Sequence, residues 1–459
     1  MNGRRRAYDV RIAWLPAILV LAHEFTQLLL VTYASVQNVS GVGVSPDSTV
    51  IRRMIELQAL LPLPVLMILA TAILVKRRVT IPLPHEKVLP FFLPVTLYAF
   101  LVGIIRGNPL YYVVGDAYQL LILPIIYWGF VSVPWKVDAT EPAKLLFRSF
   151  FLSACVWLAL EAWLALRYWF PVGEVRIFLL STTAFVPPLF FFLIKREPRF
   201  RDLLFAAFFS VGIVLTFKRA LYAGVVFAGA LVLWSSPRAM LRGMWRLLIV
   251  ASLALVLLVC FQAAGVDVGA AVRLRVASTV VPEFGVLRFH ESVEGRLGEL
   301  QSALKSLRDE GWLAMLLGMG LGALVETPLE GLKHTIHITW GAWLFRTGLI
   351  GTVVGLAWFS IFVMSCWSFR RNFTGWQREL YIAFLGWLIL HYMVSFISSY
   401  TIWKDFGLAA VASVLGRMQR MCALGHGAQA AVPHAGLGQP ERKGESGVDE
   451  QSGPEAVRP

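Results

Sequence analysis

The sequence predicts an all-α fold: a polytopic membrane protein of about twelve transmembrane helices, both termini cytoplasmic, with one large extracytoplasmic loop that carries an amphipathic helix. Three observations predict it. Of the 459 residues, 57% are hydrophobic and only 15% are charged. The apolar residues fall in runs of about 20, the length a helix needs to cross hydrocarbon. A soluble core does not require such runs, whereas a membrane does, because each span must satisfy its own backbone hydrogen bonds. Finally, the basic residues behind the net charge of +14 collect in short loops. In a soluble chain that charge would point to nucleic acid; here it first explains topology.

Taken in order, spans are expected at 12–33, 54–75, 88–105, 111–133, 145–169, 177–194, 202–217, 220–234, 247–264, 337–367, 380–396 and 401–415. Arg4, Arg5 and Arg6 precede the first span, but no small-residue cleavage site follows a short apolar core, so the span is read as retained. Basic clusters at 4–6, 76–78, 136–148, 195–201, 238–246, 370–378 and 417–420 all fall on one side under this count. The positive-inside rule makes that side the cytoplasm. The stretch 202–234 is too long for one crossing, and basic clusters on both flanks require an even number. Two short helices joined at Lys218-Arg219 satisfy both conditions, which sinks these two residues into a recess. Residues 1–424 thus form a single transmembrane domain, with 265–335 as its large extracytoplasmic loop. The tail 425–459, rich in Gly, Pro, Glu, Gln and Ser, is expected to be disordered. Cys155, Cys260, Cys366 and Cys422 lie in spans or in the tail, so no disulfide framework is expected.

Within the loop, Val293, Leu297, Leu300, Leu304 and Leu307 recur at helical spacing up to Asp309-Glu310-Gly311. Such a helix is expected to lie in the membrane plane with its leucines toward lipid. Gly318-Met319-Gly320-Leu321-Gly322 follows and reads as a flexible turn; its alternative reading, backbone donors for a phosphate, lacks the Lys-Ser/Thr of a nucleotide loop. Then come Pro328 and two histidines, His334 and His337, where the loop re-enters an apolar span. On a helix, Gly341, Leu344, Gly348 and Gly351 fall on the side of His337, a stripe of small residues suited to close helix approach.

The residues able to carry chemistry lie mostly on the outer side. His337 is a candidate general base or a polar residue at a helix end, and His334 is the alternative base. Glu330, His334 and His337 have i, i+4, i+7 spacing and can be read as three metal ligands on one helical face. Lys218-Arg219 either caps a hairpin turn or grips a phosphate. Arg273, Arg275, Arg288, Arg296 and Lys333 in the loop are solvated charges or parts of an anion site. Inside spans, His23, Glu24, Asp116, Glu161, Arg346 and His391 are functional candidates because ionisable groups are costly in hydrocarbon. Asp116 with Gln119 stands out, though no spacing ties it to the histidines. Arg346 falls on the opposite face from His337 and reads as a packing or partner-pairing residue.

His337 followed at fixed distance by Gly348-x-x-Gly351 resembles the H-[NSQ]-x9-G-x-x-G pattern of the O-antigen ligase and O-antigen polymerase superfamily. Arg219 in Thr216-Phe217-Lys218-Arg219 resembles that family's mid-chain arginine, and Gly295-Arg296-Leu297 with the downstream Gly-x-Gly resembles its loop arginine. The matches cover about residues 210–355. Ile338 departs from the small polar residue expected after the histidine, Phe217-Lys218 stand where many relatives have a serine, and Arg346 replaces a residue that is often acidic. The resemblance implies a metal-independent, inverting glycosyl transfer on the periplasmic face of a bacterial inner membrane, with no cofactor. The donor is then a glycan on undecaprenyl diphosphate, and the acceptor a hydroxyl of a lipid A core sugar or of a growing glycan. His337 becomes the base, Arg219, Arg296 and Lys218 hold the diphosphate, and Gly348 and Gly351 support His337. His334, Arg288 and Asp116 are secondary candidates. Rival readings are a lipid-linked glycan transporter or flippase and, third, a metal-dependent membrane hydrolase.

Overall fold

The computed structural model describes residues 13–39, 69, 83–131, 140–168, 182–215, 219–234, 237–263, 282–327, 331–334, 336, 338–396 and 406–430. These residues are almost wholly helical. The helices are α1 (Leu15–Val39), α2 (Phe92–Ile105), α3 (Leu110–Val131), α4 (Thr140–Tyr168), α5 (Val186–Ile194), α6 (Phe200–Leu215), α7 (Arg219–Trp234) and α8 (Pro237–Ala263). The large loop supplies α9 (Pro282–Asp309), α10 (Trp312–Leu317) and an antiparallel pair, β1 (Val325–Thr327) and β2 (Gly331–Lys333). The chain ends in α11 (Thr339–Phe369), α12 (Gly375–Val394) and α13 (Phe406–Ala430). Five described segments are long and apolar enough to cross a membrane: Pro84–Ile105, Leu110–Val131, Thr140–Leu160, Gly243–Cys260 and Thr339–Phe369. The fold is therefore that of an all-α membrane protein.

Helix starts follow local chemistry. Prolines open α8 and α9, stand in the turns leading into α2 and fall in the first turn of α5, positions where a missing N–H costs nothing. A buried aromatic core of Phe150, Phe190, Phe209, Trp157, Trp358 and Trp387 fills the bundle. α3 packs on α13, α7 on α12, α1 on α4, and α6 on α8.

Basic residues gather at the end of the bundle away from the large loop. Arg246 donates to the carbonyls of Leu193 and Arg196, each at 3.0 Å. Lys195 pairs with Asp202 at 2.7 Å, the Arg196 N–H reaches Glu379, and Arg420 pairs with Glu86. Charge distribution and three-dimensional arrangement thus agree on which helix ends lie together.

Several sequence expectations need correction. The loop helix does not turn its leucines outward as a set: Leu297 is exposed, but Leu307 is buried, and the covered face runs through Glu299, Ala303 and Leu307. That face joins Ala314, Ala323, Val325, Ile336, Ala342 and Phe345 in a second, small core. The loop therefore has its own packed interior and does not simply rest on lipid. Helix α13 runs on to Ala430, past the start of the stretch 425–459 expected to be disordered; the residues beyond 430 lie outside those described. The expected span 54–75 lies outside the described residues save Leu69, which packs against Gly129.

Candidate functional site

Helix α11 begins at Thr339, after an extended Ile338 (φ −106°, ψ 116°), and is broken inside at Gly348 (φ 63°, ψ −168°). A residue with a side chain does not adopt that conformation without strain. The single helical face expected to join His337 to Gly348 and Gly351 therefore does not exist: the helix starts after position 337 and changes course at Gly348. The break frees three consecutive carbonyls, and each has a new donor. The Met319 N–H reaches the Phe345 carbonyl at 2.7 Å, the Gly320 N–H reaches the Arg346 carbonyl at 3.1 Å, and the Tyr98 hydroxyl donates to the Thr347 carbonyl. Two of the three donors belong to the glycine segment 318–322, which is threaded between α2, α3 and α11.

That segment is not a flexible turn. Leu321 is fully buried, and all five of its N–H groups are engaged: Gly318 with Ala314 (2.8 Å), Met319 and Gly320 with α11, Leu321 with Ala99 (2.9 Å), and Gly322 with the Asp116 carboxylate (2.8 Å). The Asn108 side-chain amide donates to the carbonyls of Met319 and Leu321, at 3.1 and 2.9 Å. The glycines serve close approach, since a Cβ at Gly320 would strike the backbone of Gly103 and one at Gly348 the backbone of Leu316 and Gly318. With every N–H used internally, the segment cannot cradle a phosphate.

Beneath it lies a cluster of three ionisable side chains. Asp116 in α3 forms an ion pair with Arg346 of α11, Oδ1 lying 3.0 Å from Nη1, and His334 Nε2 lies 3.2 Å from its Oδ2. Arg346 Nη2 donates to the His334 carbonyl at 2.7 Å and lies 3.1 Å from His334 Nε2. Tyr112 stacks on the imidazole, ring centroids 4.1 Å apart and planes inclined by 13°. Side-chain exposures of 2%, 12% and 16% for Asp116, Arg346 and His334 place the carboxylate–guanidinium pair out of water and leave the histidine at its edge. Sequence spacing misses this association entirely. It leaves Asp116 unconnected to the histidines and gives Arg346 no named partner.

The remaining candidates occupy neighbouring elements at this same end. Arg296 lies on α9 one turn before Leu300, whose side chain sits against Gly341 in the first turn of α11. Arg219 is the first residue of α7, and Gly224 of that helix contacts Leu390 and Val394 near the end of α12. The end of α12 in turn meets the start of α11, where Trp340 Nε1 donates to Ser395 Oγ at 2.9 Å. The first part of α7 therefore packs near the end of α12, and that end and the loop helix both meet the first turn of α11. Arg288 is also carried on α9. His337 and Lys218 lie outside the described residues. No protein-family model and no curated protein matches the chain.

The metal triad read from spacing fails on backbone geometry. Gly331–Lys333 is a β-strand, so Glu330, His334 and His337 cannot share one helical face. The nearest neighbours of His334 Nε2 include a guanidinium, an environment unfavourable to a further cation. Elsewhere, Glu24 accepts the Trp157 indole N–H at 2.7 Å, and His391 is buried against Trp387. Both belong to helix packing, Glu24 between α1 and α4 and His391 one turn before the Ser395 that meets α11.

Proposed function

We propose that this chain is a bacterial inner-membrane glycosyltransferase of about twelve spans, of the O-antigen ligase and polymerase type, its reaction centre facing the periplasm. It transfers a glycan from undecaprenyl diphosphate to a sugar hydroxyl, with inversion and without a metal. The observation that carries this reading is the packing of the elements bearing the three motif residues: α7, which begins with Arg219, packs on α12, and the end of α12 and α9, which carries Arg296, both meet the start of α11, two residues after His337. The sequence resemblance supplies the chemistry, and the packing of these elements agrees with the proximity that such chemistry requires.

In this mechanism neutral His337 removes the proton of the acceptor hydroxyl as it attacks the anomeric carbon. Its ordinary pKa near neutrality suits that task. Arg219 and Arg296, with Lys218, hold the diphosphate and stabilise the negative charge that grows on the leaving group as the glycosidic bond breaks. The polyprenyl tail lies against apolar helix surface, so burial adds to donor affinity.

The test is made in cells that depend on this protein. His337, Arg219 and Arg296 are each replaced by Ala, membrane abundance is checked, and surface polysaccharide is resolved on a gel. Loss of a general base lowers the rate by about 10²–10⁴, enough to remove the ladder. Accumulated lipid-linked polymer identifies a ligase, and accumulated single lipid-linked repeats identify a polymerase. A normal ladder from all three variants rejects the site.

A second reading, a lipid-linked glycan transporter, is favoured by the interrupted α11 and by the buried Asp116–Arg346 pair, since broken helices and paired ionisable groups recur in transporters. Purified protein in vesicles separates the two: a transporter moves lipid-linked glycan between leaflets without forming a new glycosidic bond.

A further inference from the structure

The Asp116–Arg346–His334 cluster joins three parts of the chain: α3, α11 and the last residues of the large loop. Carboxylate and guanidinium neutralise each other, and a replacement of such a buried pair by well-packed apolar residues is commonly neutral for stability. What apolar residues cannot do is hold an imidazole and a backbone carbonyl by directed hydrogen bonds. Here both belong to His334: Nε2 is within 3.2 Å of Asp116 and its carbonyl accepts from Arg346. Two residues on, Ile336 is buried in the small core beside Phe345 and Ala342, and Thr339 already lies in α11. The described residues 334, 336 and 339 are thus each tied to the bundle or to the small core.

We propose that Asp116 and Arg346 are positioning residues: by holding His334, they hold the end of the large loop to the bundle where the chain enters α11, the stretch that carries His337. The consequence for catalysis rests on reading His337 as the base, whereas the anchoring does not. Gly322 belongs to the same device, because its N–H shares Oδ2 of Asp116 and ties the glycine segment to the same carboxylate.

The test uses the full-length protein in membranes, with Ile336→Cys as a reporter. A membrane-impermeant maleimide measures how often the segment lifts, after subtraction of labelling in the protein lacking the reporter. His334→Leu leaves the Asp116–Arg346 pair intact, so it is expected to fold, to raise labelling by about tenfold or more, and to lose glycan product. His334→Gln retains a donor toward Asp116 and is expected to return labelling and product toward the parental values. The double replacement Asp116→Leu with Arg346→Met removes both charges together but leaves the Gly322 N–H without its acceptor, so it is expected to keep normal abundance and to melt slightly lower while labelling stays fast and product stays absent.

Parental labelling in His334→Leu overturns the proposal. So does a double variant that regains slow labelling and full product, because the pair then serves stability alone. If labelling follows expectation but the parent protein forms no glycosidic bond, the transfer reading fails and the anchor remains.

Discussion

Replacing Gly348 by Ala puts a methyl group where the backbones of Leu316 and Gly318 already sit, at a φ of 63° that L residues avoid. The backbone conformation alone costs about 1–3 kcal/mol. Relief of the clash requires the glycine segment to withdraw, which breaks the bonds from Met319 and Gly320 to α11, at 2.7 and 3.1 Å. Each buried carbonyl left without a donor adds about 1–3 kcal/mol. A total of at least about 3 kcal/mol follows, and an unfolding entropy scaled to 459 residues turns that into a fall in Tm of about 3 °C or more. The assay is thermal unfolding of the purified protein in detergent, with Gly115→Ala as control. Gly115 is also helical, a Cβ there meets nothing within 4 Å, and the change is expected to be neutral or slightly stabilising. Equal melting temperatures for the two variants would refute the account of Gly348 as an obligatory break.

Further predictions concern other points of the same framework. Asn108→Leu removes the amide that caps Met319 and Leu321; it is expected to destabilise by about 1–3 kcal/mol and to speed limited proteolysis within the large loop relative to cuts elsewhere. At the opposite end, Glu86→Gln leaves Arg420 buried without its charge partner, an expected loss of about 3–5 kcal/mol. Adding Arg420→Met to that variant is expected to recover most of the loss in the same melting assay.

Much of the bundle is legible in the sequence because hydropathy and basic clusters report one-dimensional facts. Expected spans 202–217 and 220–234 correspond to α6 and α7, and the regularly spaced leucines of the loop do form a helix that ends at Asp309. Which way that helix faces is not legible, since an apolar stripe looks the same whether it meets lipid or a small protein core. Gly348 misleads for a related reason: a glycine at helical spacing suits close packing and breakage equally well, and the choice depends on donors supplied by residues 319 and 320. Asp116 and Arg346 are separated by half of the chain, so no spacing rule joins them. A usable signal exists in depth. Asp116 lies six residues into α3 and Arg346 seven into α11, about 9 and 10.5 Å from the loop-side helix ends. Two opposite charges at matched depth in a membrane are candidates for a pair on hydropathy and topology alone.

The recaptured carbonyls of α11 also constrain biogenesis. Their donors lie in Tyr98, Met319 and Gly320, all synthesised before α11 leaves the ribosome. The glycine segment is made after α2 and α3, yet two of its N–H groups have no acceptor until residues 345 and 346 arrive. Seating of that segment is therefore a late event, set by the passage of α11 through the insertion machinery. A nascent chain stalled before residue 339 carries a large loop that has not docked and is open to proteases, and release of the stall lets it close.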